Sequence, residues 1–472
     1  MSSATSSTWF TAAGVAFEVM TATHASAAAI AGLQDQRLRE LLKAARATRH
    51  YRQLLLGRDL DHIKLCMLPA TGKTQLMQHV ADFVADPRLT ANGLRTLCAD
   101  PRRTAELYLG RYVVWESSGS TGQPGVFVQD ERAMAVYDAL EALRRSSPRP
   151  FARWLDPLYL GERFAFVGAT GGHFASQVSM QRLVAASPGA GRRLQLFSIL
   201  QPIAALVEQL NAYAPTIVAS YPTAAGMLAD EVRCGRLRVS VQEVWTGGET
   251  LSAAMRLHIE KAFGCDLRNS YGASEFLPIA WECAQQRLHV NADWVILEAV
   301  DEQHRPVPAG QASYTTLLTN LANHVQPLIR FDIGDRIVYD PHPCPCGSAL
   351  PTVQVQGRCD DALIERDCRG APVTLLPLAL TTRLEEGAGV FDFQLRQLGA
   401  GRWILALGPG APQTQAVRER CRRLLADFAR MQGAVNVRIA TQLAPALAKG
   451  RSGKCKRILA QDGRPTGPRP CR

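Results

Sequence analysis

Residues 117–125 read SSGSTGQPG and follow, after Glu116, on the apolar run Tyr112–Trp115. Small residues at such a turn let backbone N–H groups approach a polyphosphate closely, and the hydroxyls of Ser117, Ser118, Ser120 and Thr121 add donors around Gly119 and Gly122. Taken alone, the stretch is more economically read as an ordinary Ser/Gly-rich loop. Partners for a bound nucleotide therefore have to be sought further along the chain.

The setting is that of a large globular protein. A chain of 472 residues, 47% hydrophobic and 20% charged, has room for two to four domains by the usual domain sizes. The formal net charge of +11 concentrates at Arg102–Arg103, Arg192–Arg193, Arg418–Arg423 and Lys449–Arg457. Such a balance favours anionic ligands or an acidic protein partner; without an aromatic-interleaved basic motif, nucleic acid is the weaker reading. The 12 cysteines are mostly isolated, which suits free thiols in a reducing cytosol and not a disulfide scaffold. Residues 11–30 are alanine-rich but carry Glu18 and His24 and lack a basic leader, so they make a poor signal peptide and a poor membrane span. A cytoplasmic location is expected.

Outward from the Ser/Gly stretch, residues 28–56 predict a helix. Strands are expected at Phe164–Val167, Pro215–Ser220, Val241–Thr246, Trp294–Val300 and Tyr314–Thr319, and helices at Ile203–Ala212, Thr223–Arg233 and Ala253–Ala262. This alternation predicts an α/β fold: a large N-terminal domain of mixed, partly parallel sheets flanked by helices. Near Gly357 the character changes to a small α+β pattern, with a Gly-rich bend at Gly387–Gly389, strands at Phe391–Leu398 and Trp403–Leu407 and a basic helix Gln413–Met431. The expected division is a core domain over 1–358, a hinge over 359–361 and a small mobile domain over 362–472.

Several constellations carry chemistry. Tyr271–Gly272–Ala273–Ser274–Glu275 follows an expected strand end, where a carboxylate suits a phosphate-bound magnesium ion and the Tyr271 ring suits a base; an ordinary polar turn is the alternative. Asp335 in LIRFDIGDR suits a ribose diol, or simply a turn. GRCDD supplies Arg358 and Asp360, and KGRSGK ends in Lys454, a cation on a turn. Cys283 and His289, followed by Cys344 and Cys346, give halves able to close a tetrahedral Cys3His zinc site, with His342 as a competing ligand. Two signals are set aside. Ala70–Thr74 imitates the end of a Walker A loop, but Met67 stands where its first glycine belongs. His173 in the GGHF stretch is read as a pocket or core residue in preference to a catalytic one.

The order of these motifs resembles the adenylate-forming enzymes, which include acyl-CoA synthetases, firefly luciferase and peptide-synthetase adenylation domains. The branch it looks most like is that of the phenylacetate-CoA ligases and the synthetases that adenylate a deazaflavin coenzyme. TGGE at Thr246–Glu249, TNLANHVQPLIRFDIGD at Thr319–Asp335 and GRCDDALI at Gly357–Ile364 add to the match, which covers roughly residues 37–459. The resemblance implies that Ser117, Ser118, Gly119, Ser120, Thr121 and Gly122 cradle the phosphates of ATP. Tyr271 and the segment Gly247, Gly248 and Glu249 would flank adenine, beside Gly272, Ala273 and Ser274. It further implies that Glu275 holds magnesium, Asp335 binds ribose, Arg358 supports the nucleotide, Asp360 is the hinge and Lys454 touches the reacting carboxylate and the α-phosphate. His173, Phe174, Trp245 and Phe276 would line the acyl pocket, and Cys283, His289, Cys344 and Cys346 would bind structural zinc. The family commonly carries Lys where this chain has Gln123. The implied activity is AMP-forming ligation of a small, aromatic or other modest-sized, carboxylic acid to CoA or to the phosphopantetheine of an acidic carrier protein. An adenylyltransferase and a catalytically silent nucleotide-binding homologue remain the alternatives.

Overall fold

Of the runs expected as strands, those at Phe164, Pro215 and Val241 belong to a nine-stranded sheet in a computed structural model of the chain. The structure describes residues 2–117, 124–144, 161–186, 190–358, 361–450 and 453–461. In spatial order the sheet runs Asp335–Tyr339, Thr352–Arg358, Leu288–Val290, Ala280–Glu282, Leu267–Tyr271, Glu243–Gly247, Ile217–Ser220, Phe164–Gly168 and Leu194–Ser198. The last five are parallel to one another, with Phe164 opposite both Leu194 and Ile217, and Ile217 opposite Glu243. Apolar residues such as Ile217, Val218 and Val244 are buried on these strands because helices Ile203–Tyr213, Pro222–Arg233 and Ala253–Phe263 connect them by crossing over the sheet. A second sheet orders Thr71–Gly72, Phe331–Asp332, Thr315–Asn320 and Val295–Val300, and a separate hairpin pairs Val113–Glu116 with Val126–Gln129.

The chain divides into two units. The larger comprises Met1–Leu251, His258–Val355 and Gly450–Lys454; the smaller comprises Ser252–Leu257, Gln356–Lys449 and Cys455–Arg472. In the smaller unit a four-stranded sheet of order Arg438–Leu443, Arg402–Leu407, Phe393–Gly399 and Ile458–Leu459 packs with helices Pro377–Ala388 and Gln415–Met431 around Phe393, Leu405, Trp403 and Leu425. Glu365, buried there, accepts hydrogen bonds from the Trp403 indole and from the Gly401 and Gln397 amides, all at 2.7 Å.

Three expectations change. The helix expected over 28–56 is two helices, Ala27–Ala45 and Arg49–Leu54, because Thr48 leaves helical geometry and its hydroxyl caps the N–H of Tyr51. The Gly387–Gly389 bend is the end of helix Pro377–Ala388, closed by Gly389 at φ +65°. Residues Ser2–Thr23, given no structure from sequence, form a helix. Among the described residues no helix is long and apolar enough to cross a membrane.

That first helix is held by buried charge. Arg144 and Asp293 have fully enclosed side chains and form a bidentate pair at 2.6 and 2.9 Å. Arg144 also donates to Asn291 Oδ1 and Thr23 Oγ1, while Arg37 donates to the Asp293 carbonyl and stacks on Trp294 at 3.4 Å. Removing one partner strands the other in a dry interior. Asp293→Ala is therefore expected to cost about 3–5 kcal/mol, and Asp61→Ala, in the exposed pair with Lys43, less than about 1 kcal/mol. Urea unfolding of the two variants measures the difference.

Candidate functional site

Parallel strands place all their carboxyl ends at one edge, and loops at such an edge are where α/β sheets bind ligands. The strand Glu243–Gly247 runs into Gly248 and Glu249 there, and Leu267–Tyr271 runs into Gly272–Glu275. Gly248 has φ +77°, a conformation that L side chains rarely adopt. The Glu249 carboxylate accepts from the N–H and the hydroxyl of Thr223 at 3.0 and 2.8 Å. Thr223 lies in the first turn of helix Pro222–Arg233, where the helix dipole favours a negative charge. Glu249 thereby fixes the Gly-Gly turn against the preceding crossover helix.

Tyr271 is buried, and its hydroxyl donates to Asp335 Oδ2 at 2.7 Å. Asp335 follows Gly334, which has φ +72°, and its own carbonyl accepts from Thr316 Oγ1. The two residues expected to face base and ribose are thus joined directly. A Cβ at Gly272 would lie 1.9 Å from the Leu277 carbonyl oxygen, so only glycine lets the loop fold back this tightly. Two successive carbonyls of that loop are held: Trp115 Nε1 donates to Ser274 O at 2.8 Å, and Asn320 Nδ2 to Glu275 O at 2.9 Å. The half-buried Glu275 side chain therefore leaves from a backbone pinned on both sides.

Lys454, in the segment Gly450–Lys454 of the larger unit, holds its ammonium 5.2 Å from the ring centroid of Tyr221, a cation–π arrangement. A Cβ on Gly248 would lie 2.9 Å from Lys454 Nζ. Lys454 thus meets the TGGE turn. Tyr221, the platform beneath it, was not singled out from sequence; its place just before the proline that opens helix Pro222–Arg233 is the signal that could have found it. Of the Ser/Gly stretch, Ser117 is described: its N–H donates to the Gly125 carbonyl and its hydroxyl accepts from the Gly125 N–H, both at 2.8 Å. Ser118, Gly119, Ser120, Thr121, Gly122 and Gln123 lie outside the described residues, as does Asp360. Arg358 ends the strand Thr352–Arg358, directly after Gly357 at φ +100°.

The residues expected to line an acyl pocket divide. Phe276 is fully enclosed and packs edge-on against Tyr137, with 5.0 Å between centroids; it is core, since the tight loop at Gly272 turns it inward. His173 is likewise enclosed, with Nε2 3.0 Å from the Asp100 carbonyl and its own carbonyl accepting from Glu116 N–H. Phe174 is buried beside it, bridging to Glu116, whereas Trp245 is half-buried and packs on Phe164. A cavity of about 440 Å³ opens elsewhere, lined by Ile203, Val207, Asn211, Glu231 and Arg236 among others, and holds none of the residues expected to bind nucleotide.

Cys283, His289, Cys344 and Cys346 converge, their four ligand atoms all within 4.8 Å of one another. Cys283 Sγ and Cys344 Sγ are 3.7 Å apart, close to the ~3.8 Å edge of a tetrahedron with Zn–S bonds of about 2.3 Å. His289 Nδ1 lies 2.8 Å from the Leu350 carbonyl and Nε2 3.3 Å from Cys346 Sγ. A proton on Nδ1 directs the Nε2 lone pair into the cluster, as a metal-binding imidazole requires. Burial pushes the His289 pKa down, which keeps it neutral for ligation. The donor set fits zinc. His342 stands outside the group.

Known proteins resemble the chain in part or in fold. Protein CapK of Staphylococcus aureus is 28% identical over 133 residues, a stretch that spans 28% of this chain and 28% of that protein. The crystal structure of 2-hydroxyisobutyryl-CoA ligase in the postadenylation state, in complex with R3-HIB-AMP, superposes with a TM-score of 0.66 at 18% identity, covering 91% of this chain and 89% of that one. Anthranilate CoA ligase AuaEII in complex with anthranoyl-AMP gives 0.50 at 17% identity, covering 73% and 66%. At these identities the structural likeness is one of fold. Residues 19–312, more than half of the chain, match the family described as AMP-binding enzyme, and the chain belongs to that family.

Proposed function

We propose that this chain is an AMP-forming ligase that activates a carboxylic acid with Mg-ATP and passes the acyl group to a thiol. The observation that carries the reading is the meeting of Lys454 with the Gly248 turn at the carboxyl edge of the parallel strands, beside the Tyr271–Asp335 pair. In the first half-reaction a carboxylate oxygen attacks the α-phosphorus, the bond to the bridging oxygen breaks and pyrophosphate leaves with the electron pair. Such a transfer asks the protein for positioning and for stabilisation of charge. Lys454 supplies a cation at the carboxylate and α-phosphate, Tyr271 and the TGGE turn flank adenine, and Asp335 accepts from ribose. A magnesium ion held by Glu275 would neutralise phosphate charge. In the second half-reaction the thiol sulfur attacks the acyl carbonyl, its proton passes to solvent and AMP leaves. CoA or a carrier-protein phosphopantetheine serves as the acceptor, and Asp360 as the hinge. The ligases of similar fold handle 2-hydroxyisobutyryl and anthranoyl groups, which supports a modest-sized acid here.

Carboxylate-dependent exchange of labelled pyrophosphate into ATP, run over a broad panel of acids, tests the activity and the acid class together. A thioester plus free AMP is the expected product; a stable adenylylated product, or ATP binding with no exchange for any acid, would overturn the ligase reading. Lys454→Ala is expected to lower the exchange rate by at least about a hundred-fold while leaving thiol transfer from preformed acyl-adenylate nearly intact. Equal loss of both steps would remove Lys454 from the adenylation step.

Zinc at Cys283, His289, Cys344 and Cys346 is the second part of the proposal, with a structural role that clamps two turns together. Purified protein is expected to carry about one zinc per chain. Cys344→Ser should drop the content below about half an equivalent and lower the melting temperature. A variant that keeps both its zinc and its stability would count against the site.

A further inference from the structure

The stretch 319–335 takes part in the proposed site through Asp335, yet its most buried polar residues lie earlier. Asn320, Asn323 and Gln326 are each no more than 1% exposed. Fully buried amides have to be hydrogen-bonded, and what these three bond to is informative. Gln326 Oε1 accepts from Val128 N–H at 2.8 Å, and Gln326 Nε2 donates to Val126 O at 3.3 Å. Asn323 Nδ2 donates to Val128 O at 2.7 Å and to Gln129 Oε1 at 2.9 Å.

Val126 and Val128 belong to the outer strand of the hairpin Val113–Glu116/Val126–Gln129, and these bonds go to the edge that faces away from the partner strand. A two-stranded ribbon with a buried outer edge would leave N–H and C=O groups unpaired. Here a side-chain amide replaces the missing third strand. Gln326 offers an acceptor to one residue and a donor to the residue two before it, as a neighbouring peptide group would. The rungs are themselves fixed: Asn323 Oδ1 accepts from the N–H groups of Val325 and Gln326, and Asn320 Oδ1 from those of Ala322 and Asn323.

The first rung points to the other side of the site. Asn320 Nδ2 donates to Glu275 O and to Tyr137 Oη, both at 2.9 Å, and Tyr137 Oη donates in turn to Gln129 Oε1 at 3.1 Å. One ladder therefore grips both the hairpin that flanks the Ser/Gly stretch and the backbone of Glu275.

We propose that Asn320, Asn323 and Gln326 are positioning residues that set the hairpin Val113–Glu116/Val126–Gln129 relative to Glu275, so that nucleotide phosphates and the carboxylate-held metal meet in register. The proposal rests on the nucleotide reading of the site given above. It concerns the phosphate end of the nucleotide and leaves the adenosine end, held by Tyr271, Asp335 and the TGGE turn, unaffected.

The test uses the full-length chain and two readouts. Gln326→Leu removes both amide bonds to the hairpin, and Gln326→Glu keeps an acceptor for Val128 N–H. Amide hydrogen exchange at Val128 is expected to speed up by about ten-fold or more in Gln326→Leu, the effect of losing one hydrogen bond. Exchange in Leu267–Tyr271 should stay at the wild-type rate. Calorimetric affinity for MgATP should fall by about ten-fold or more, with adenosine within about two-fold of wild type and Gln326→Glu between the two. Should Gln326→Leu not fold, Tyr137→Phe removes only the hydroxyl bridge between Asn320 and Gln129, and the same split between MgATP and adenosine is expected. Unchanged Val128 exchange overturns the ladder; parallel loss of MgATP and adenosine affinity reduces it to a general structural role. If the wild-type chain binds no nucleotide, the reading of the site fails instead, and exchange at Val128 still decides whether the ladder holds the hairpin.

Discussion

Burial of the parallel strands on both faces is the constraint from which the rest of this structure follows. Ile217–Ser220 and Glu243–Gly247 each lie between parallel neighbours, so no short hairpin can join them and each connection must cross the sheet as a helix. Every such crossing returns the chain to the same edge. The Gly248 turn and the Gly272 loop are neighbours for that reason, although 24 residues separate Thr246 from Ser270, whose hydroxyl donates to the Thr246 carbonyl across the strands. Chemistry at this edge is inherited from topology: local sequence determines which side chains each loop presents, while the sheet determines that they converge.

A second constraint acts where the sheet ends. The hairpin strands Val113–Glu116 and Val126–Gln129 and the segment 291–294 lie outside the parallel core but are buried, so their backbone groups need partners beyond those that a regular strand supplies. The chain solves this in two ways. Around 291–294 it uses charge, with Arg144 and Arg37 converging on Asp293, and Gln34 reaching the Ala292 carbonyl at 2.6 Å. At the hairpin it uses neutral amides. Charged groups suit the first place, where helices Ser2–Thr23 and Ala27–Ala45 are bound to the body, since a broken buried pair is costly and so enforces one arrangement.

Legibility in the sequence follows the same physics. Strands such as Phe164–Gly168 and Val295–Val300 were readable because burial demands apolar runs, and the zinc-type cluster because cysteine and histidine pairs have few other uses at that spacing. The break at Arg46–Thr48 was hidden because apolar spacing continues through it and a single threonine cap decides the matter. His173, read from sequence as pocket or core, and Phe276, expected as a pocket wall, are both enclosed; a motif places residues in a loop without saying which way they turn, and the closure of Gly272 onto Leu277 decides it for Phe276. Asn320, Asn323 and Gln326 lie in the TNLANHVQPLIRFDIGD match, in which sequence gives them no role of their own. The hairpin partners of Asn323 and Gln326 are nearly 200 residues away in sequence, and no local pattern announces that an amide will stand in for a strand.

The neighbouring chemistry favours amides at that place. A primary amide carries a donor and an acceptor on one planar group, so it can satisfy the N–H of one strand residue and the C=O of another, whereas a carboxylate only accepts and a guanidinium only donates. Either ion would also bring an uncompensated charge into a fully buried position, at a desolvation cost that a neutral group avoids. Close to the proposed nucleotide site, a fixed charge would further add to or subtract from the fields of Glu275 and Lys454. Neutral rungs fix geometry without altering electrostatics. The division of labour that results is physical: amides and an aromatic N–H hold the backbone of the loop from which the Glu275 side chain leaves.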